Sequence, residues 1–146
     1  MTLAISGQKI VEMLATRFPD SVVASDGLSA TINIEHIFKI LEHLKVSGDY
    51  EFNYLNDLTA VDYYDYFEIV YHISSLTHNQ MAVIKTRCYN RENPICASVT
   101  SLWKGADYFE REIFDLFGIT FAGHPNMKRI YLWEGFEGYP LRKDYL

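Results

Sequence analysis

A chain of 146 residues, 49% of them hydrophobic and 22% charged, is the size of one domain and can bury a core without metal or disulfide support. Its net charge of −6 argues against a nucleic-acid partner, and its two cysteines, Cys88 and Cys96 with seven residues between them, match neither a zinc knuckle nor a redox pair. No segment approaches the roughly 20 apolar residues of a membrane span, and residues 1–10 lack the basic start and apolar run of a signal peptide, so a soluble chain in a reducing compartment is expected.

Ser6 can cap a first helix whose apolar stripe is Ile10, Met13, Leu14 and Phe18, with Pro19 ending it. Two short strands, 21–25 and 28–34, flank Asp26-Gly27, a strong hairpin signal. Asn33 is the expected cap of a second helix carrying Ile37, Ile40, Leu41 and Leu44, and Gly48 its expected stop. Three strands are expected next, at 51–55, 66–74 and 81–88. The second alternates, with Phe67, Ile69, Tyr71 and Ile73 on one face and Glu68 and His72 on the other, as in a sheet buried on one side. Asp57, Asp62 and Asp65 lack the glycine turn and terminal glutamate of a calcium loop and read as solvated loop; Tyr63, Tyr64 and Tyr66 beside them read as strand-edge packing.

The last quarter organises the rest. Asp107 and Glu110 have the spacing of a capping box, which would start a third helix near Tyr108, and Gly118 suits the left-handed residue that closes one. Phe109, Ile113 and Leu116, flanked by Phe114 and Phe117, form its core side; Arg111, Glu112 and Asp115 form a block of charge opposite. Beyond Ile119, Gly123, Pro125, Gly135, Gly138 and Pro140 interrupt any long helix or strand. Yet Phe121, Met127, Ile130, Tyr131, Leu132, Trp133, Phe136, Tyr139, Leu141 and Tyr145 need cover, and an irregular, aromatic segment of this kind reads as a docking arm. The arm has a charge balance of +1, leaving −7 on the residues before it, so a partner surface with acidic groups is expected. The organisation is a body over 1–118 and a docking arm over 119–146 within a single domain. The order α-β-β-α-β-β-β-α gives the fold class: α+β, a two-layer sandwich of helices over one face of a mixed sheet.

Glu110 and Glu112 could serve as an acid/base pair, but Glu110 has the place of a cap partner and near neighbours in a helix do not face each other, so no catalytic residue is assigned. His36 and His43, seven apart on a helix, are too far apart for a metal pair, and His72 and His78 flank an expected turn with no ligand at suitable spacing. His124, between Gly123 and Pro125, sits where an imidazole can bridge backbone carbonyls or a partner carboxylate.

The blocks Tyr54-Leu-Asn-Asp-Leu-Thr-Ala-Val-Asp62, Ser98-Val-Thr-Ser-Leu-Trp103, Asp107-Tyr-Phe-Glu-Arg-Glu112, Phe114-Asp-Leu-Phe-Gly-Ile119, Gly123-His-Pro125 and Tyr139-Pro-Leu-Arg-Lys-Asp-Tyr145 resemble, in order and spacing, the 30-kilodalton subunit family of respiratory complex I, the NADH:quinone oxidoreductase. The resemblance extends from about Asp49 onward. It implies a cofactor-free structural subunit of the hydrophilic arm, peripheral on the cytoplasmic side of the cell membrane, within a complex that uses NADH, FMN, iron–sulfur clusters and quinone. The sequence itself has no cysteine set for a cluster and no glycine-rich nucleotide loop. The implied partners are the large quinone-site subunit and the adjacent iron–sulfur subunit, and the expected contact residues are Arg111, Glu112, His124, Arg129, Trp133, Phe136, Tyr139, Arg142 and Lys143. The same resemblance admits a membrane-bound nickel–iron hydrogenase or a related quinone- or phenazine-reducing complex. A free-standing enzyme using the Glu110/Glu112 region is the alternative from another class, and the uncovered arm leaves a homodimer open for the isolated protein.

Overall fold

The computed structural model describes residues 3–15, 17–133 and 136–145. In sequence order the elements are β1 (Leu3–Ala4), α1 (Gly7–Ala15), β2 (Val22–Ser25), β3 (Ser29–Ile32), α2 (Ile37–Val46), β4 (Tyr54–Asp62), β5 (Phe67–Ser75), β6 (Gln80–Cys88), β7 (Ile95–Ala97), α3 (Ala106–Phe117) and β8 (Thr120–Ala122). A mixed six-stranded sheet has the order β2-β3-β6-β5-β4, with the short β1 running parallel beside the start of β6. β4, β5 and β6 form an antiparallel meander, and β3 joins β6 in parallel. The expected α+β class is the observed one.

Local chemistry explains the first elements. The Ser6 hydroxyl accepts from Lys9 N–H at 3.2 Å, as a cap should. In the β2–β3 turn, Asp26 Oδ1 accepts from the N–H groups of Leu28 and Ser29, each at 2.8 Å. The missing Cβ of Gly7 lets α1 press on that turn, since a methyl group there would lie 2.0 Å from the Asp26 carbonyl. Phe67, Ile69, Tyr71 and Ile73 of β5 are fully buried in one core with the apolar faces of all three helices. Phe67 meets Phe117 of α3 edge to face, with ring centroids 6.3 Å apart.

Several expectations are corrected. Asn33 does not cap α2; its Oδ1 accepts from Glu35 N–H in a turn before the helix, which begins after His36 and stops at Ser47 rather than Gly48. The strand expected at 51–55 is β4, shifted forward to Tyr54–Asp62, with a pairing irregularity between Leu55 and Asp57. That bulge puts Leu55 and Leu58 both inward, which breaks the simple alternation and makes the stretch resemble a loop. Asp62 is therefore no solvated loop residue: it ends β4 and is 2% exposed. His72 lies inside β5, within the strand expected at 66–74. The parallel pair β7–β8 is too short for any periodicity to announce it, and it places Ile119 and Phe121, on the arm side of the expected boundary, in the core.

α3 departs most. It starts at Ala106 with Gly105 before it and no side-chain cap, so the Asp107/Glu110 capping box does not form. Glu110 turns inward instead and is fully buried, and Asp115, assigned to the charged face, is fully buried as well. Gly118 does close the helix, in the left-handed conformation with φ 77° and its N–H bonded to the Phe114 carbonyl.

Candidate interaction site

Residues 124–133 and 136–145 run beside α3 from its first turn to its last, held by α3 side chains that bind their main chain and by arm side chains that bind α3 carbonyls. At the start, His124 Nε2 is 3.0 Å from Asp107 Oδ1 and 3.2 Å from the Asp107 carbonyl, while its Nδ1 accepts from Asn126 N–H at 2.9 Å. A nitrogen that accepts there cannot carry the proton, so the geometry selects the Nε2–H tautomer. One turn on, Arg111 donates to the carbonyls of Lys128 (3.0 Å) and Arg129 (3.3 Å). Next, the buried Asp115 accepts through one oxygen, Oδ2, from three successive N–H groups: Ile130 at 3.2 Å, Tyr131 at 2.7 Å and Leu132 at 3.1 Å. Three converging amides make a nest for an anion, and the Asp115 carboxylate fills it. Arg129 Nε stands 3.6 Å from its other oxygen.

The arm returns over the C-terminal end of α3. Leu141 N–H bonds the Leu116 carbonyl at 2.9 Å, and Arg142 Nε donates to the Phe117 carbonyl at 2.6 Å, a favourable place for a cation because the helix leaves its last carbonyls unpaired. A Cβ on Gly118 would lie 2.7 Å from the Tyr139 ring and 2.9 Å from Arg142 Nη2, so this glycine both ends the helix and leaves room for the arm. Arg129 lies over the rings of Phe136 (5.5 Å) and Tyr139 (4.9 Å), and Arg142 over Phe67 (5.1 Å) and Tyr139 (5.0 Å).

The far end is latched to the body by Asp62. Arg91 grips its two oxygens at 2.6 and 3.0 Å, and Lys143 N–H and Tyr64 N–H donate to it at 2.9 and 2.8 Å. The Arg91 guanidinium above all, then the two backbone donors, hold the Asp62 carboxyl far below the ordinary carboxylate range against the opposing effect of burial.

Of the expected contact residues, the structure gathers Arg111, Glu112, His124, Arg129, Tyr139 and Arg142 along α3. Trp133 and Phe136 pair edge to face at 4.8 Å on the arm, and Trp133 is 69% exposed. Lys143 stands apart, its ammonium 5.3 Å over the Tyr64 ring. Sequence reasoning misses Asp62, Arg91 and the nest at Asp115, because each acts on a segment distant in sequence. Glu110 accepts from Ser98 Oγ at 2.6 Å and Val99 N–H at 2.8 Å. Burial pushes its carboxyl up to about 7 despite those two bonds. It ties α3 to the segment before it rather than facing a cleft. Beneath it, Tyr71 OH and Cys96 Sγ are 3.5 Å apart, and burial raises both groups, the thiol to about 12.

The site is thus an α+β body with an aromatic arm strapped along its last helix, in which the carboxylates of Asp62, Glu110 and Asp115 hold segments together. The family model described as respiratory-chain NADH dehydrogenase, 30 Kd subunit, matches residues 30–146. The C subunit of NADH-quinone oxidoreductase from Roseiflexus sp. (strain RS-1) is 38% identical over 149 residues, which is 97% of this protein and 85% of that one. An NADH-quinone oxidoreductase subunit from Phocaeicola vulgatus, designated C/D, is 42% identical over 105 residues, 71% of this protein but 20% of that one. Among solved structures, one polypeptide of the membrane-bound sulfane sulfur reductase, an archaeal respiratory membrane complex, superposes with a TM-score of 0.77 at 26% identity, over 95% of this protein and 85% of that one. The chain belongs to the 30 Kd subunit family of respiratory-chain NADH dehydrogenase, and so is a subunit of an oxidoreductase complex rather than a separate enzyme. Among the described residues no helix is long and apolar enough to cross a membrane.

Proposed function

We propose that the protein is a cofactor-free structural subunit of the hydrophilic arm of an NADH:quinone oxidoreductase, docked beside the quinone-site subunits on the cytoplasmic side of the membrane. It supports electron transfer from NADH to quinone by position. The observation that carries this reading is the state of the arm. Its main chain is fixed to α3, yet Tyr131, Trp133 and Leu141 stay more than half exposed, the pattern of a preorganised contact surface awaiting its partner. The contact set is Arg111, Glu112, His124, Arg129, Trp133, Phe136, Tyr139, Arg142 and Lys143. Within it the arginines and His124 shape the surface, while Trp133 and Phe136 are its apolar anchors. The double C/D designation of one relative, of which the matched region is a fifth, supports a close association with a second subunit of the same complex.

The sulfane sulfur reductase likeness favours one second reading, the same role in a related respiratory complex with another electron donor. One experiment tests both: the tagged protein is recovered from gently solubilised membranes and its companions are identified by mass spectrometry. Quinone-site subunits with a flavin-binding NADH module are the expected result. A different donor module moves the protein to the related branch, and its recovery alone from the soluble fraction overturns the subunit role.

A further inference from the structure

We propose that Tyr108, Tyr131 and Glu112 form an outward seat for a cationic side chain, arginine or lysine, of the neighbouring subunit. This deepens the subunit reading above and rests on it. Tyr108 and Glu112 are one turn apart on α3 and share a face. The arm lays Tyr131 against both: its hydroxyl donates to Glu112 Oε2 at 3.0 Å and is hydrogen-bonded to the Tyr108 hydroxyl. With Tyr131 donating to the carboxylate, Tyr108 donates to Tyr131, so the two hydroxyls form a chain that ends on Glu112. The second oxygen, Oε1, has no hydrogen bond among the described residues. The two rings stand at 88° with centroids 6.3 Å apart, and Tyr108 is 48% and Tyr131 56% exposed. A carboxylate beside open aromatic faces suits a guanidinium or ammonium, which gains an ion pair and ring contact together.

The protein's own neighbouring guanidiniums are engaged elsewhere. Arg111, next to Glu112, turns to the Lys128 and Arg129 carbonyls; Arg129 turns to Asp115 and two rings, and Arg142 to the Phe117 carbonyl and two rings. The basic composition of the arm therefore serves its internal fastening, and the partner expected from composition, one with acidic groups, is replaced at this seat by a cationic one. Lys128 and Lys143 remain the exposed cations of the arm. The overall charge of −6 acts in the same direction by attracting a cationic surface. The seat is preorganised, because Tyr131 N–H is fixed to Asp115 at 2.7 Å.

The test compares tagged wild type, Glu112→Gln, Glu112→Lys and Tyr131→Phe in cells lacking the untagged copy. Each protein is recovered from gently solubilised membranes, washed with rising salt, and its partner subunits are quantified by mass spectrometry. A cationic occupant gives retention in the order wild type, Gln, Lys, with at least about tenfold less partner on Glu112→Lys, and Tyr131→Phe below wild type. Retention on Glu112→Lys equal to wild type, or above Glu112→Gln, overturns the seat and leaves the subunit reading standing. If Glu112→Lys lowers the melting temperature, the two milder variants decide, and wild-type retention by both overturns the proposal. A wild-type protein that brings no partner overturns seat and subunit role together.

Discussion

In β5 and β6, which have strands on both sides, the main-chain groups find their partners on neighbouring strands, and the side chains are left to build the core. Along residues 128–132 the main-chain groups turn instead to side chains of α3: Arg111 takes two carbonyls, and Asp115 takes three N–H groups. Both regions meet the requirement that buried backbone be hydrogen-bonded. They differ in what failure costs. A sheet loses stability gradually as ladder bonds are removed, whereas the arm hangs on a few charged groups, each holding several bonds at once.

The largest break is removal of the arm. Because Ile119 and Phe121 belong to the core, the informative cut falls after Gly123 rather than after Gly118. The shortened protein is expected to melt cooperatively as a folded body, followed by circular dichroism, and to bring no partner subunits from membranes. Normal assembly would show that the arm is dispensable for docking.

The latch comes next. Asp62→Ala leaves Arg91 without its bidentate partner and frees Lys143 N–H, with an expected loss of about 3 kcal/mol in urea unfolding and early proteolysis near residue 143. The pH dependence has a definite sign. The folded-state pKa of Asp62 is depressed, so its stabilisation is present above the ordinary value of 3.8 and is lost as pH falls through the acid range below it; Asp62→Ala should lack that loss.

Glu110 gives a body-side contrast with the opposite sign. Its pKa is raised from 4.5 to about 7, so stability is full below about 4.5 and is lost as pH rises toward 7. The change is on the order of 3 kcal/mol. Glu110→Gln, which resembles the protonated acid, should flatten this slope and hold the Ser98 and Val99 contacts; an unchanged slope would assign the pH dependence elsewhere.

The smallest expected effect is the most local. Asp115→Asn keeps an acceptor but removes the charge, at a cost of about 1–2 kcal/mol. Amide exchange at residues 130–132 should accelerate while β5 and β6 stay protected. Uniform acceleration would mean that the arm and body open as one unit.

The elements with local signals are legible in the sequence. Ser6, the Asp26-Gly27 turn and Gly118 each act through bonds within a few residues, and all three do what their spacing implies. Asp107 and Glu110 show where that reasoning stops, because a capping-box spacing permits the cap without requiring it. Here Ser98 and Val99 supply Glu110 with better-buried partners. Asp115 and Asp62 mislead for a related cause: a carboxylate beside other charges resembles a solvated face until a later segment of the protein folds back to use it. The family blocks suggest a contact set, but nothing in them reveals that Arg111, Arg129 and Arg142 point into their own polypeptide.

The fastening of the arm by α3 has a consequence for exchangeability. Arg111 and Asp115 grip C=O and N–H groups of the arm, and nearly every amino acid carries both. The course of residues 128–132 is therefore largely independent of the side chains they display outward, whereas His124, Arg129 and Arg142, which turn back onto the body, have to be kept. Outward positions such as Trp133, 69% exposed, can change while that course stays in place.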